Sequence, residues 1–362
     1  MTLEQKISRL VPERLQKLEP YKTDSASGLV KLDAMELPFP IDAAVSESLY
    51  RTLAEVELNR YPEARPKAIR NLLLSENRLA NKVDVVLGNG SDELIHLLCL
   101  MMCKTDQSTV LCPSPTFSVY RIAAEIVGLR YTEIDNSYDD FSLDFGQIMT
   151  AIERDEPALI FLASPNNPTG SSISKAEIEA ICRKSKGLVV LDEAYWRFAG
   201  ESLVYLTEMC ENLLVLQTFS KIGFAGLRVG MLFGQKPWID LIEKIRMPYN
   251  INSLSQAGAL FALNNKALIK GNIDRLKKER NWMFDQLSKI NSVKVWPSEA
   301  NFFLIRLRKQ SGPAMFAQLK NKGFLVKNLT GSHPALMNCL RVTIGTREEN
   351  IGFLSALREL CH

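Results

Sequence analysis

Between residues 83 and 233 the chain alternates short apolar runs with amphipathic stretches. Runs at 83–87, 109–112, 158–163, 188–191, 213–217 and 229–233 are nearly continuous in apolar residues. A strand that is apolar on both sides must be covered on both faces, and the segments at 91–103, 116–127 and 175–185 have the helical character to cover it. The pattern predicts an α/β fold with a mostly parallel sheet between layers of helices.

The pattern changes near Pro248. A polar-rich helical stretch at 266–290 precedes strand candidates at 302–307 and 340–344, with a helix at 313–322 between them and another at 348–360. Residues 248–362 therefore read as a smaller α+β domain, and 45–247 as a large one. Pro12, Pro20, Pro38 and Pro40 make the first forty residues look like an extended lead-in, so 1–44 read as an arm with part of the small domain. A chain of 362 residues accommodates this division, at roughly 150 residues per domain.

Composition narrows the function. The 44 basic and 41 acidic residues leave a net charge of +3, which gives no argument for nucleic acid or a membrane surface as partner. The N-terminus lacks the apolar core of a signal peptide, and no apolar run is long enough to span a bilayer. Seven cysteines, with no Cys-x-x-Cys pair, read as reduced residues of a cytoplasmic protein. Three histidines and no zinc partner set around Cys99 and Cys103 predict no metal site.

The chemistry gathers in the loops after the apolar runs. Residues 217–230 hold Lys221 in a small, apolar setting, with Arg228 seven residues on. Desolvation lowers the pKa of such a lysine, and its neutral amine can attack a carbonyl. The planar guanidinium suits a phosphate. An aldehyde and a phosphate together describe pyridoxal 5'-phosphate (PLP). Residues 164–170, Ser-Pro-Asn-Asn-Pro-Thr-Gly, form either a plain turn or a loop offering the Asn167 amide to a ligand at a strand end. Asp192 either caps the helix after its strand or faces a pyridinium nitrogen, with Tyr195 placed to donate to a ring oxygen beside Asn167. Gly88-Asn-Gly90-Ser91-Asp92-Glu93 lacks the third glycine of a dinucleotide fingerprint, yet opens a helix whose backbone amides can hold a phosphate. Phe117 and Tyr120 are both candidates to stack on a flat ring, and Phe117 is preferred because it stands closer to the strand end.

On these segments, together with Pro20-Tyr21, Lys31 to Ala34, Asn59 to Glu63, Asn301-Phe302 and residues 340–346, the chain resembles the fold type I, class I/II PLP-dependent aminotransferases. Within them it is similar to the histidinol-phosphate aminotransferases, over nearly its whole length. The resemblance implies a seven-stranded, mostly parallel sheet in the large domain. It implies a homodimeric enzyme of histidine biosynthesis that takes an amino donor, histidinol phosphate, and a 2-oxo acid, 2-oxoglutarate. Lys221 would join the cofactor and move the substrate's α proton. Asp192 would pair with the ring nitrogen, and Asn167 and Tyr195 with the ring oxygen. Arg228, Ser220, Ser91 and the Asp92 amide would hold the phosphate, with Thr218 near it, and Phe117 would stack on the ring. Tyr61 would reach the neighbouring subunit's cofactor. Arg341 would bind the acidic end of the substrate, helped by Lys327, and Tyr21 would lie in the arm over the pocket. Two positions depart from the family pattern: Met35 stands where asparagine is usual, and Lys327 where arginine is usual. Rival readings are an aromatic amino-acid aminotransferase, a lyase like the threonine-phosphate decarboxylases, and a regulator that has lost catalysis.

Overall fold

The computed structural model describes residues 1–20, 24–105 and 107–361. Among them, seven strands form a sheet in the order Val83–Asn89, Val229–Gln235, Leu213–Thr218, Leu188–Asp192, Leu159–Ala163, Thr109–Ser114, Arg130–Asp135. The central strands are buried along their whole length, as their unbroken apolar character requires. Alternate residues enter different cores: Val189 and Leu191 pack on one face of the sheet, Leu188 and Val190 on the other. Burying each such side chain stabilises the fold by about 1.5–3 kcal/mol, so two apolar faces on one strand are worth covering twice.

The mostly parallel sheet expected from the sequence is present. Val229–Gln235 runs against both neighbours, and the other six strands share one direction. The reversal has a simple cause. The link from Thr218 to Val229 is too short for the crossover that parallel neighbours need, so the chain turns back on itself. Thr218 consequently pairs with Gly230, and everything between them sits at the carboxyl edge of the sheet.

The seventh strand, Arg130–Asp135, does not have the apolar signature of the others. It lies at the sheet edge, is half-buried, and mixes charged with apolar residues. The strand expected to stop at residue 112 runs on through Pro113 to Ser114. Its pairing with Leu159–Ala163 covers only Val110 and Leu111, so the missing amide of Pro113 leaves that ladder intact.

Beyond residue 290 a four-stranded antiparallel sheet has the order Lys327–Asn328, Cys339–Thr343, Phe302–Leu307, Val293–Val295. The long polar-rich helix is Lys266–Leu287, and Gly312–Asn321 and Arg347–Leu360 follow close to their expected bounds. The lead-in reading of the first forty residues needs correction in two places. Leu3–Leu10 is a helix, opened by a capping box of Thr2 and Gln5, with no buried residue. Val30–Lys31 pairs in parallel with Phe324–Leu325, which draws Leu32, Met35 and Phe39 into the core. Met35 has a left-handed backbone (φ 54°), held by its own N–H donating to Thr343 Oγ1 at 3.0 Å and by Asn301 Nδ2 donating to its carbonyl at 2.9 Å. Among the described residues no helix is long and apolar enough to cross a membrane.

Gly230 is where the reversed strand meets the helix Ser91–Met102. A Cβ there would lie 2.6 Å from the Gly90 carbonyl carbon and the Ser91 amide nitrogen, both backbone atoms that cannot step aside. Gly230→Ala is expected to lower the stability of the cofactor-free protein by about 1–3 kcal/mol, read by urea denaturation. An unchanged midpoint and slope would contradict this packing.

Candidate active site

At the carboxyl edge of the sheet lies a cavity of about 270 Å³. Strand ends at Ala163, Asp192 and Thr218 line it, together with Lys327 and Arg341 of the small sheet. Open α/β sheets present ligand sites at this edge, because loops from several strands converge there.

The amine of Lys221 sits between the two sheets. Its Nζ donates to the carbonyl of Ala34 at 3.1 Å and stands 5.8 Å from the centre of the Tyr195 ring. Burial, and then the charge of Arg341, push its pKa down to about 8. Arg341 in turn donates Nη1 to Asn167 Oδ1 and Nη2 to the carbonyl of Asp33, each at 2.6 Å. This fixes the orientation of the Asn167 amide: its oxygen is taken, and its NH₂ donors are the end left for a ligand oxygen. Tyr195 directs its hydroxyl at the Met35 sulfur, 3.1 Å away. A thioether is a weak acceptor that a ring oxygen outcompetes.

Asp192 ends its strand at the bottom of the cavity. Burial raises its carboxyl to about 6. Its Oδ1 accepts the amide of Ala194 at 2.9 Å and its Oδ2 the hydroxyl of Tyr120 at 2.6 Å.

At the far end, the helix Ser91–Met102 opens toward Arg228, Ser220 and Thr218. Gly90 (φ 79°) permits this approach, since a Cβ there would stand 2.6 Å from Arg228 Nη2. Arg228 pairs with the Asp92 carboxylate at 3.2 Å and contacts Ser220 Oγ at 3.4 Å. Thr218 Oγ1 lies 3.0 Å from Ser220 Oγ. A guanidinium, two hydroxyls and the first amides of a helix make a cradle for a phosphate.

The cavity thus brings together Lys221, Asp192, Asn167, Tyr195, Arg228, Ser220, Thr218, Ser91, Asp92, Phe117, Lys327 and Arg341. Tyr61 is not among them: it is 82 % exposed and stacks on Tyr249 with ring centres 4.7 Å apart. Tyr21 lies outside the described residues. Between the two stacking candidates, Tyr120 has its ring already stacked on Phe161 at 4.5 Å, which leaves Phe117. The sequence reading missed Tyr120 as the partner of Asp192, and Asp33 and Ala34 as backbone acceptors. Tyr120's position three residues after Phe117, at the opening of the next helix, was the available signal. A buried carboxylate, a lysine of lowered pKa and a phosphate cradle in one cavity are a donor set that fits PLP.

A family model, Aminotransferase class I and II, matches residues 27–357, and the chain belongs to that PLP-dependent family of enzymes. Among its relatives, the histidinol-phosphate aminotransferase 2 of Nitrosococcus oceani is 40 % identical, over 98 % of both chains. The histidinol-phosphate aminotransferase of Chromobacterium violaceum is also 40 % identical, over 97 % of this chain and 98 % of its own. In fold, the chain is similar to the PLP complex of histidinol-phosphate aminotransferase from Sinorhizobium meliloti (TM-score 0.87, 20 % identity, 98 % of both chains covered).

The lowered pKa of Lys221 has a thermodynamic consequence. Between about 8 and the ordinary 10.5 the unfolded chain binds a proton that the folded chain does not. Stability therefore rises with pH across that window, and Lys221 costs stability below it. Lys221→Met is expected to stabilise the cofactor-free protein at pH 7 by roughly 2 kcal/mol, a gain that shrinks toward pH 10.5. Denaturation curves at both pH values check it. A gain independent of pH would mean that packing, not charge, is responsible.

Proposed function

We propose that this enzyme transfers the amino group of histidinol phosphate to 2-oxoglutarate, and that it does so as a cytoplasmic homodimer in histidine biosynthesis. The observation that carries the substrate reading is the pair Lys327 and Arg341. They stand directly opposite each other on adjacent antiparallel strands and line the same cavity as Lys221. Two cations over an amine suit a donor with a phosphate at one end and an amino group at the other. The names of the 40 % identical relatives point to the same donor.

Bound PLP supplies an aldehyde for the donor amine and a ring that withdraws electrons from the donor's α carbon. This chain's residues do the rest. Arg228, Ser220, Thr218 and the helix amides at Ser91 and Asp92 hold the cofactor phosphate. Asp192 faces the ring nitrogen, Asn167 and Tyr195 donate to the ring oxygen, and Phe117 covers a ring face. Lys221 Nζ, neutral above about pH 8, takes the proton from the donor's α carbon, a transfer worth about 10²–10⁴-fold in rate. Arg341 grips the donor's phosphate with its fork and later the carboxylate of the oxo acid, while Lys327 adds a point charge without bidentate geometry. The residue ranges 45–247 and 248–362, with 1–44 as arm and part of the small domain, are the proposed domains.

The dimer reading draws support from the exposed apolar group around Tyr61, which includes Leu58, Tyr249 and Leu254. Pairing two copies over it would cover that surface and bring Tyr61 to the partner's cofactor phosphate. All seven cysteines are free, which suits a reducing compartment.

Purified enzyme offered histidinol phosphate or phenylalanine with 2-oxoglutarate should form glutamate with a kcat/KM at least ~100-fold higher for the phosphate donor, given what a pair of charge-assisted contacts contributes. Lys327→Ala should raise KM for histidinol phosphate by about 10-fold or more and leave the phenylalanine rate nearly unchanged. Equal use of both donors would overturn the substrate reading, and carbon dioxide released from an amino-acid phosphate would replace it with a lyase. Lys221→Ala should abolish transfer, and a variant with normal turnover would refute Lys221 as the base.

A further inference from the structure

Asp192 is held from two sides by groups of different kinds. The amide of Ala194, from its own loop, takes Oδ1. The hydroxyl of Tyr120, from the helix Val119–Val127, takes Oδ2 at 2.6 Å. Tyr120 is fully buried and its ring is fixed by a parallel stack on Phe161 (4.5 Å, 5°) and an edge contact with Phe117 (5.6 Å, 90°). The hydroxyl therefore has a single place to go. We propose that Tyr120 is a positioning residue that keeps Asp192 ionised and aimed at the ring nitrogen of bound PLP, an inference that rests on the assignment of Asp192 above.

The physical case is a competition between burial and hydrogen bonding. Burial alone favours the neutral carboxyl, and the bond from Tyr120 is the largest influence pulling Asp192 back toward its charged form, ahead of the Ala194 amide. Lys221, from the reversed hairpin, also favours the charge, and Asp92, from the helix at the phosphate end, opposes it. Glu193, next in the chain, is occupied by Ser202, the Leu203 amide and Gln217. Tyr120 itself cannot take over the negative charge. Burial and the neighbouring carboxylate push its phenol well above 10, so it stays a donor. Cys112, close to Tyr120, has its thiol pushed up to about 12 and stays neutral. Without the phenol hydroxyl, Asp192 would keep its place but take up a proton nearer to neutral pH. A neutral carboxyl no longer pairs with a protonated ring nitrogen, and the ring withdraws electrons less well.

Tyr120→Phe removes the hydroxyl and keeps both ring contacts. The test loads native and Tyr120→Phe protein with PLP carrying ¹⁵N in the ring and follows the nitrogen chemical shift against pH, together with the PLP dissociation constant by fluorescence. In the native enzyme the nitrogen should be protonated at neutral pH. In Tyr120→Phe its half-protonation point should fall by about one pH unit or more and PLP should bind about 10-fold more weakly, as expected for losing one hydrogen bond to a buried charge. Turnover should fall through kcat more than through KM. A variant with the native shift curve and native PLP affinity overturns the role of Tyr120. An unprotonated nitrogen in the native enzyme overturns the assignment of Asp192, and the inference with it. If Tyr120→Phe does not fold, 3-fluorotyrosine at position 120 serves instead. Its more acidic phenol is a stronger donor, so the half-protonation point should rise, and an unmoved curve refutes the inference.

Discussion

The site depends on a close backbone contact between Gly90 and Gly230. The amide of Gly90 donates to the carbonyl of Arg228 at 2.6 Å, and Gly230 faces the Gly90 carbonyl with no room for a Cβ. This contact locks the one reversed strand of the large sheet against the mouth of the helix Ser91–Met102. Arg228 leaves the hairpin in a left-handed conformation (φ 53°) and delivers its guanidinium to that mouth. Lys221 is carried by the same hairpin, so amine and phosphate cradle are spaced by one short loop. A cofactor that carries an aldehyde and a phosphate arm on one rigid ring needs such a fixed spacing, since a loose one would lose catalysis steeply with small displacements.

The electrostatics of the cavity follow from that frame. Lys221 and Asp192 are the two groups whose ordinary pKa values burial shifts most usefully: the amine falls to about 8 and the carboxyl rises to about 6. At neutral pH one is near the threshold of becoming a base, and the other stays largely charged because Tyr120 and Ala194 hold it. Arg341 links the two halves. It lowers Lys221 through its charge and fixes the Asn167 amide through a hydrogen bond, so a residue of the small sheet sets up the chemistry of the large one. On the proposed roles of these residues, an anion that neutralises Arg341 would also relieve one of the influences that lower the pKa of the amine.

Much of this was legible in the sequence, for physical reasons that also mark where reading stops. The central strands announce themselves because both faces are buried and no polar residue interrupts them. Arg130–Asp135 does not, because an edge strand with a solvent-facing side looks like a mixed loop. The helix Ser253–Asn264 leaves little trace either: its small and apolar residues bury much of the circumference and give little amphipathic contrast. The motif loops stand out since turn formers cluster after apolar runs. Pairings across the fold leave no local trace. Tyr120 meets Asp192 over 72 residues, and Asn167 meets Arg341 over 174. The burial of Leu32, Met35 and Phe39 likewise depends on a strand partner near Phe324 that no local pattern reveals.

The central claim is that one lysine, Lys221, carries the cofactor in a cavity built by the reversed hairpin. Borohydride reduction of the PLP-loaded protein, followed by peptide mapping with mass spectrometry, tests it directly. A single pyridoxyl group is expected, fixed on the peptide that contains Lys221. A group on Lys327 or on any other lysine, with Lys221 unmodified, would contradict it.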